Sequence, residues 1–418
     1  MHLSNDPGIP RPGTSASRYS RMVEALKFPD IRVLWVSTFA NQFGQGMQQV
    51  ALGWLVLEMT GSVGLVGAVF AVRSAPNLIV GLVAGSITDR LDRRTLMRAS
   101  VWGLMLASLA IAVLLFTNQL TIWTLMLLTL VLGALHAFDM TSRQVYVYDV
   151  VGASGAVSGI ALISLAQRVG QVFGALLAGG LLQWQGPGFS FLAMSIGYSC
   201  GALILYLLRH AGESAPLDRE SMVENIVNYF RALRSNRVML SLMISTAGVE
   251  VLGFSHQVML PILALNVLEV GAGGLGVLTA FRFVGGTLGV ALVAALGQIS
   301  RRGLFLLVAV VFFGLGQVLL GQSVNFWMAL TFVTLVNVMA AITDVLHQGL
   351  LQLSVSNEQR GRAMGSWIVG IGTAPVGQLQ IGYLAEVTSS RVALLVNGVG
   401  LAALAVIMGV LMPRLRRL

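Results

Sequence analysis

Twelve long apolar runs separated by short polar turns constrain this chain more than any other feature. They are read near residues 33–57, 62–87, 98–117, 121–143, 157–183, 188–208, 238–266, 273–297, 303–322, 325–347, 363–386 and 391–412. A bilayer core takes about 20 apolar residues per helix, so each run is long enough to cross it. Only 10% of the residues are charged, against about 25% in a soluble domain, too few to cover the chain with a solvated surface. The length of the runs, without ten-residue alternation, points to helices and not to a barrel. The expected fold is an all-α membrane protein with twelve transmembrane helices in two pseudo-symmetric six-helix bundles. Its 48 glycines suit close helix contact.

The net charge of +9 is a topology signal and does not point to a nucleic-acid partner. Arg11, Arg18, Arg21, Lys27 and Arg32 precede the first run. Arg90, Arg93, Arg94 and Arg98, then Arg209, Arg219, Arg231, Arg234 and Arg237, fall in loops on that same side. Arg301, Arg302, Arg360, Arg362, Arg414, Arg416 and Arg417 follow suit, and the opposite loops hold only Arg391. The positive-inside rule then predicts both termini in the cytoplasm. Residues 1–20 lack an apolar segment, so no cleaved signal peptide is expected. The lone Cys200 excludes an internal disulfide and a cysteine metal cluster.

The expected organisation is a cytoplasmic tail (1–32), a first bundle (33–208), a central loop (209–236), a second bundle (237–413) and a basic tail (414–418). Met222, Val223, Ile226, Val227, Phe230 and Leu233 recur at helical spacing in the central loop, which reads as a helix lying on the inner membrane surface. A shift of 209 residues lays Gly67 to Arg73 on Gly276 to Arg282, and Arg93 on Arg302. Two related halves around a solute site form a recurring transporter plan. Runs 3, 6, 9 and 12 have uncharged interiors and are expected to face lipid.

Polar residues inside the spans are the candidate path. Asn41, Gln45, Gln48 and Gln49 share one face of the first helix, and Gln42 lies beside them. They read either as the wall of an aqueous cavity or as bridges between helices. Arg73, Arg168 and Arg282 lie halfway along their spans, where a charge must find water or a partner. They favour an anionic or strongly hydrogen-bonding solute, or else pair permanently with acids. Glu250 is the only glutamate deep in a span and is the candidate for carrying a proton, with Asp139 and Asp344 as competitors. His136, Asp139, Met140 and Arg143 lie along one helix face, with Arg143 read as an anchor at the inner end. His256 and His347 read as core or cavity histidines and not as metal ligands. No nucleotide-binding loop is present, so no cofactor and no enzymatic activity are expected. In the fifth run Gly170, Gly174, Ala178 and Gly179 form a small-residue stripe, read as close packing.

The loop Gly85-Ser86-Ile87-Thr88-Asp89-Arg90-Leu91-Asp92-Arg93-Arg94 resembles the signature between helices 2 and 3 of the major facilitator superfamily. The likeness covers nearly the whole chain. Phe28 to Trp35, Val50 to Val56 with Thr60-Gly61-Ser62, Leu260-Pro261 and Asn357 to Ala363 are similar to the bacterial multidrug, macrolide and enterobactin-type exporter branch. The resemblance implies that Gly85, Asp89, Arg90, Arg93 and Arg94 form a cytoplasmic gate, with Asp89 near the positive end of helix 11. Gln298 stands in the matching loop of the second half, and Ala175 stands where the fifth-helix antiporter motif has proline. The expected function is proton-coupled export of a small organic compound, a drug or siderophore, by a monomer working through alternating access. Membrane lipid is the surrounding partner. An importer, a lipid flippase or a non-transporting sensor of the same fold are the alternatives.

Overall fold

The computed structural model describes residues 26–88, 92–210, 233, 236–297, 301–354 and 367–416. The first six helices are α1 (Pro29–Thr60), α2 (Val63–Thr88), α3 (Arg93–Phe116), α4 (Ile122–Gly152), α5 (Ser158–Gln185) and α6 (Pro187–Ile204). The second six are α7 (Arg237–Val267), α8 (Gly271–Leu296), α9 (Arg302–Gly321), α10 (Phe326–Leu353), α11 (Ala374–Val387) and α12 (Ser390–Leu411). Nine of these are long and apolar enough to span a bilayer by composition alone. α1 falls short because of its amides. Central positions 211–232 and the motif Asn357 to Ala363 lie outside the described residues, as do Asp89, Arg90 and Gln298.

Local chemistry sets the helix ends. Pro29 opens α1, where its missing N–H has no helical partner, and Gly61 closes it in the left-handed conformation (φ 64°). Thr121, Asn236, Asn325 and Ser389 cap α4, α7, α10 and α12 through side-chain oxygens. The break between α4 and α5 is made at Gly152, whose φ of 67° is non-helical. α4 therefore runs nine residues beyond its predicted end at Arg143. Charged residues there are satisfied inside the bundle and do not terminate the helix.

α3, α6, α9 and α12 have their main packing partners within their own halves. The halves meet along two seams, α2 with α11 and α5 with α8, each made by a glycine pair. A Cβ at Gly67 would lie 2.9 Å from Gly382 Cα, and one at Gly179 would lie 2.8 Å from Gly276 Cα. Gly67 and Gly276 are the residues that the 209-residue shift superposes. Gln183 Oε1 accepts from the Gly273 N–H at 3.0 Å, and Glu386 Oε2 from that of Gly64 at 2.9 Å. All these contacts lie in the half of the interface distal to the two chain ends. Trp123, Trp184 and Trp327 stand exposed at this same distal level, as in an interfacial aromatic belt. The glycine stripe of α5 divides its work. Gly170 and Gly174 press on the α1 backbone, and Gly179 on α8.

Candidate translocation site

The structure splits the amide stripe of α1. Asn41, Gln42, Gln45 and Gln48 are buried, and Gln49 is half-buried. Asn41 Nδ2 donates to Asp139 Oδ2. Gln42 Oε1 accepts from Gln171 Nε2 at 2.9 Å. These bonds tie α1 to α4 and α5 within one half, as amides commonly do between membrane helices. Asn41 and Gln45 were read as cavity wall; both are buried, and Asn41 is turned toward α4, where its amide bonds Asp139. The reason for Asn41 is register, which brings it against a helix of its own half.

Asp139 has a similar position. It is fully buried and accepts from Arg143 Nε at 2.7 Å, one turn along α4. Arg143 also donates to Thr38 Oγ1 at 2.9 Å and to Ser37 Oγ at 3.3 Å, and Ser37 Oγ donates onward to the Gly201 carbonyl at 3.0 Å. Arg143 is therefore no surface anchor. It is the centre of a buried network joining α1, α4 and α6, and Asp139 sits locked within it. A carboxylate held by a guanidinium and an amide is poorly placed to pick up and release a solute or a proton.

The second half is built differently. α7 leaves α-helical geometry at Val249–Gly253 for a π turn, then at Phe254–Met259 for a 3₁₀ turn. Such interruptions often mark working sites in membrane helices. The Gly253 carbonyl released there accepts from Gln317 Nε2 at 3.1 Å and contacts His256 Nδ1 at 2.8 Å. Glu250 sits in the π turn, 8% exposed. Among the described residues it has no hydrogen-bond or ion-pair partner. Its nearest charged influence is Asp344 on α10, itself bonded to Gln348 Nε2 at 3.4 Å. Asp344 in turn feels Arg168 on α5, beyond ion-pair distance. His256 and His347 are buried and contact Asn337 Nδ2 at 3.3 Å and Ser245 Oγ at 2.9 Å, which makes them core histidines of this half.

Between the halves lies a small pocket, lined by Gln49 and Phe70 on one side and Gln257, Pro261, Thr279 and Arg282 on the other. Arg282 donates to Gln49 Oε1 across the interface and to Gln257 Oε1 at 2.8 Å. Arg73 is half-buried within electrostatic range of Arg282. It makes no hydrogen bond or ion pair among the described residues. The structure thus brings Gln49 and Arg282 together across the interface, with Arg73 within electrostatic range of Arg282 and, in its own half, of His136 and Tyr198. It sets Asp344 within electrostatic range of both Arg168 and Glu250. Gln257 and Thr279 escaped sequence reasoning. Gln257, an amide in an apolar run shortly before Pro261, carried the only signal that could have found it.

At the face carrying the chain ends, Arg93 is buried and paired with Asp149 of α4. Arg94 Nη1 donates to the Arg209 carbonyl at 3.5 Å, and its N–H to Asp92 Oδ1 at 3.1 Å. Asp30 Oδ1 and Oδ2 accept from the N–H groups of Arg209 and His210 at 3.1 and 2.7 Å, fixing the start of the central loop to α1. Gly85 lies within the last turns of α2.

A family model for transmembrane secretion effectors, MFS_3, matches residues 23–417. The chain belongs to this family of major facilitator transporters. As a family member it is a multi-pass membrane protein and a secondary transporter of a small molecule, and it is not an enzyme. It is similar to the Staphyloferrin A transporter of Staphylococcus aureus (strain NCTC 8325 / PS 47), at 23% identity over 84% of this chain and 88% of that one. It is also similar to the multidrug efflux pump Tap of Mycolicibacterium fortuitum, at 24% identity over 95% and 98%. In fold this transporter resembles a POT family transporter solved with a thioalcohol-conjugated peptide (TM-score 0.76, 12% identity, 92% of this chain and 96% of that one). It also resembles the nucleoside transporter NupG (TM-score 0.72, 13% identity, 91% and 98%).

Proposed function

We propose that this transporter exports a small organic compound from a bacterial cell in exchange for protons, as a monomer with both termini in the cytoplasm. The observation that carries the coupling is Glu250, an acid in a π turn with no partner among the described residues, within reach of the charge of Asp344. With no bond to break, it can take up and release a proton as the halves move. Arg168, facing Asp344 from the other half, gives that acid a second way to be neutralised when the halves rock. Proton binding at Glu250 and closure of the Arg168–Asp344 gap are then linked events, which is what exchange requires.

On this orientation the distal face is extracellular and the present state is open to the cytoplasm, because the glycine seams and the Gln183 and Glu386 bonds close the distal half. Gln49, Arg73, Arg168, Glu250, Arg282 and Asp344 form the path. Gly85, Asp89, Arg90, Arg93 and Arg94 form the gate of the opposite state. In that state the Arg93–Asp149 pair keeps α3 against α4 while the loop engages α11. Exporter relatives support the direction.

The test is flux in inside-out vesicles with an acidic lumen. Ethidium or another transported dye accumulates in wild-type vesicles and collapses with a protonophore. Glu250→Gln lowers this gradient-driven uptake to the level of empty vesicles. Full uptake by Glu250→Gln would move the coupling to Asp344. Uptake that ignores the protonophore would remove proton exchange altogether.

A further inference from the structure

The two distal seams are copies of one another down to single bonds. Gly64 and Gly273 lie 209 positions apart, as do Gly67 and Gly276; Gln183 and Glu386 lie 203 apart, as do Gly179 and Gly382. In each seam the first turn of a helix offers a glycine N–H that has no helical partner. A side chain near the end of a helix of the other half accepts it. Glu386 Oε2 of α11 accepts from Gly64 of α2 at 2.9 Å, and Gln183 Oε1 of α5 accepts from Gly273 of α8 at 3.0 Å. One turn further along, the pairs Gly67–Gly382 and Gly179–Gly276 bring the backbones together. Below the rim each side keeps one further tie, Ser74 Oγ to Gln378 Oε1 between α2 and α11, and Arg282 to Gln49 between α8 and α1. At the rim the copies differ in the acceptor, a carboxylate in one and a neutral amide in the other.

We propose that this difference sets the order in which the outer gate opens: the α5–α8 rim parts first, and the α2–α11 rim is the pivot that parts last. The proposal rests on the reading above that the distal half is the outer, closed one. A carboxylate binds an N–H about twice as strongly as a neutral acceptor does. Glu386 also sets its negative charge at the N-terminus of α2, the positive end of that helix dipole, whereas Gln183 brings no charge to α8. Both side chains are exposed, so water and salt reach both bonds and the comparison is between like sites. The dipole contribution at such a site corresponds to about a two- to fivefold difference in how often each rim is open. Gln183 and Glu386 lie outside the path named above. They act as positioning residues, setting how the halves rock.

The experiment measures distances between pairs of spin labels in the full chain, in lipid nanodiscs at neutral pH, with and without the transported dye. One sample carries labels on the distal ends of α5 and α8, a second on those of α2 and α11, both in a Cys200→Ser background. The separated population is expected to be about two- to fivefold larger at α5–α8. Glu386→Gln should bring the α2–α11 population up to that of α5–α8, and Gln183→Glu should bring α5–α8 down to that of α2–α11. The double exchange should reverse the order. These are conservative changes at exposed positions, so the fold is kept. Equal populations at the two seams, including none at either, overturn the proposal, as does a bias that survives Glu386→Gln. Dye flux in the vesicles above separates the two readings. A bias that follows the exchanges without any flux keeps the gate and sinks the exporter, and dye flux without the bias does the reverse.

Discussion

The two halves of this transporter share a repeat yet treat their buried acids in opposite ways. In the first half Asp139 is held by Arg143 and Asn41, and Arg143 is held by Ser37 and Thr38, so acid and base are paired with each other inside the bundle. In the second half Glu250 lies in a distorted turn with no partner among the described residues, and Arg282 reaches outward to an amide of the other bundle. A satisfied pair makes a rigid reference frame. Unsatisfied groups leave free energy for a ligand or a proton to claim. The comparison assigns a structural role to the acid of one half and a responsive one to the acid of the other.

Breaking the satisfied half should produce the largest effect. Arg143→Met leaves Asp139 buried and uncompensated, at a cost of about 3–5 kcal/mol. Thermal unfolding in detergent should show it, and the double variant Asp139→Leu, Arg143→Met should regain most of the loss. If the single variant melts like wild type, the contrast between halves is void. Glu250→Gln sharpens the same contrast from the other side. Its melting temperature should stay near wild type, because no bond is lost, while its gradient-driven flux disappears.

Overpacking the distal seam comes next. Gly179→Val must push α8 away from α5, a strain of about 1–3 kcal/mol felt only while that side is closed. Distances between spin labels on the distal ends of α5 and α8, in a Cys200→Ser background, should lengthen. The smallest effect is expected at Gln49→Ala. It removes one neutral acceptor from Arg282, worth about 1.5–3 kcal/mol at most and partly replaced by water. Gradient-driven dye uptake in inside-out vesicles should fall by less than it does in Arg282→Gln.

The long apolar runs made the helices legible, and the lopsided arginines made a topology readable. The repeat was visible through Gly67, Arg73, Gly276 and Arg282, and the structure adds that both glycines sit at equivalent seams. The site was only half legible. Asn41, Gln45 and Asp139 look in sequence no different from Gln49 and Glu250, since each is a polar residue in an apolar span. Which of them meets a neighbour in its own half depends on helix rotation, and rotation is set by packing against partners far away in the chain. Arg143 shows the same limit. Its distance along the run suggested a helix end, and only the continuation of α4 to Gly152 buried it.

The sequence by itself determined that this chain lives in a bilayer, as helices, with charges too costly to be accidental. That follows from local composition, because backbone and side-chain transfer into hydrocarbon depends on each segment alone. Tertiary structure decided which charges cancel and which remain, through contacts such as Asn41 with Asp139 and Arg282 with Gln49. Electrostatic partnership falls off over a few ångströms, and distances of that size between helices are fixed only when the whole bundle has packed.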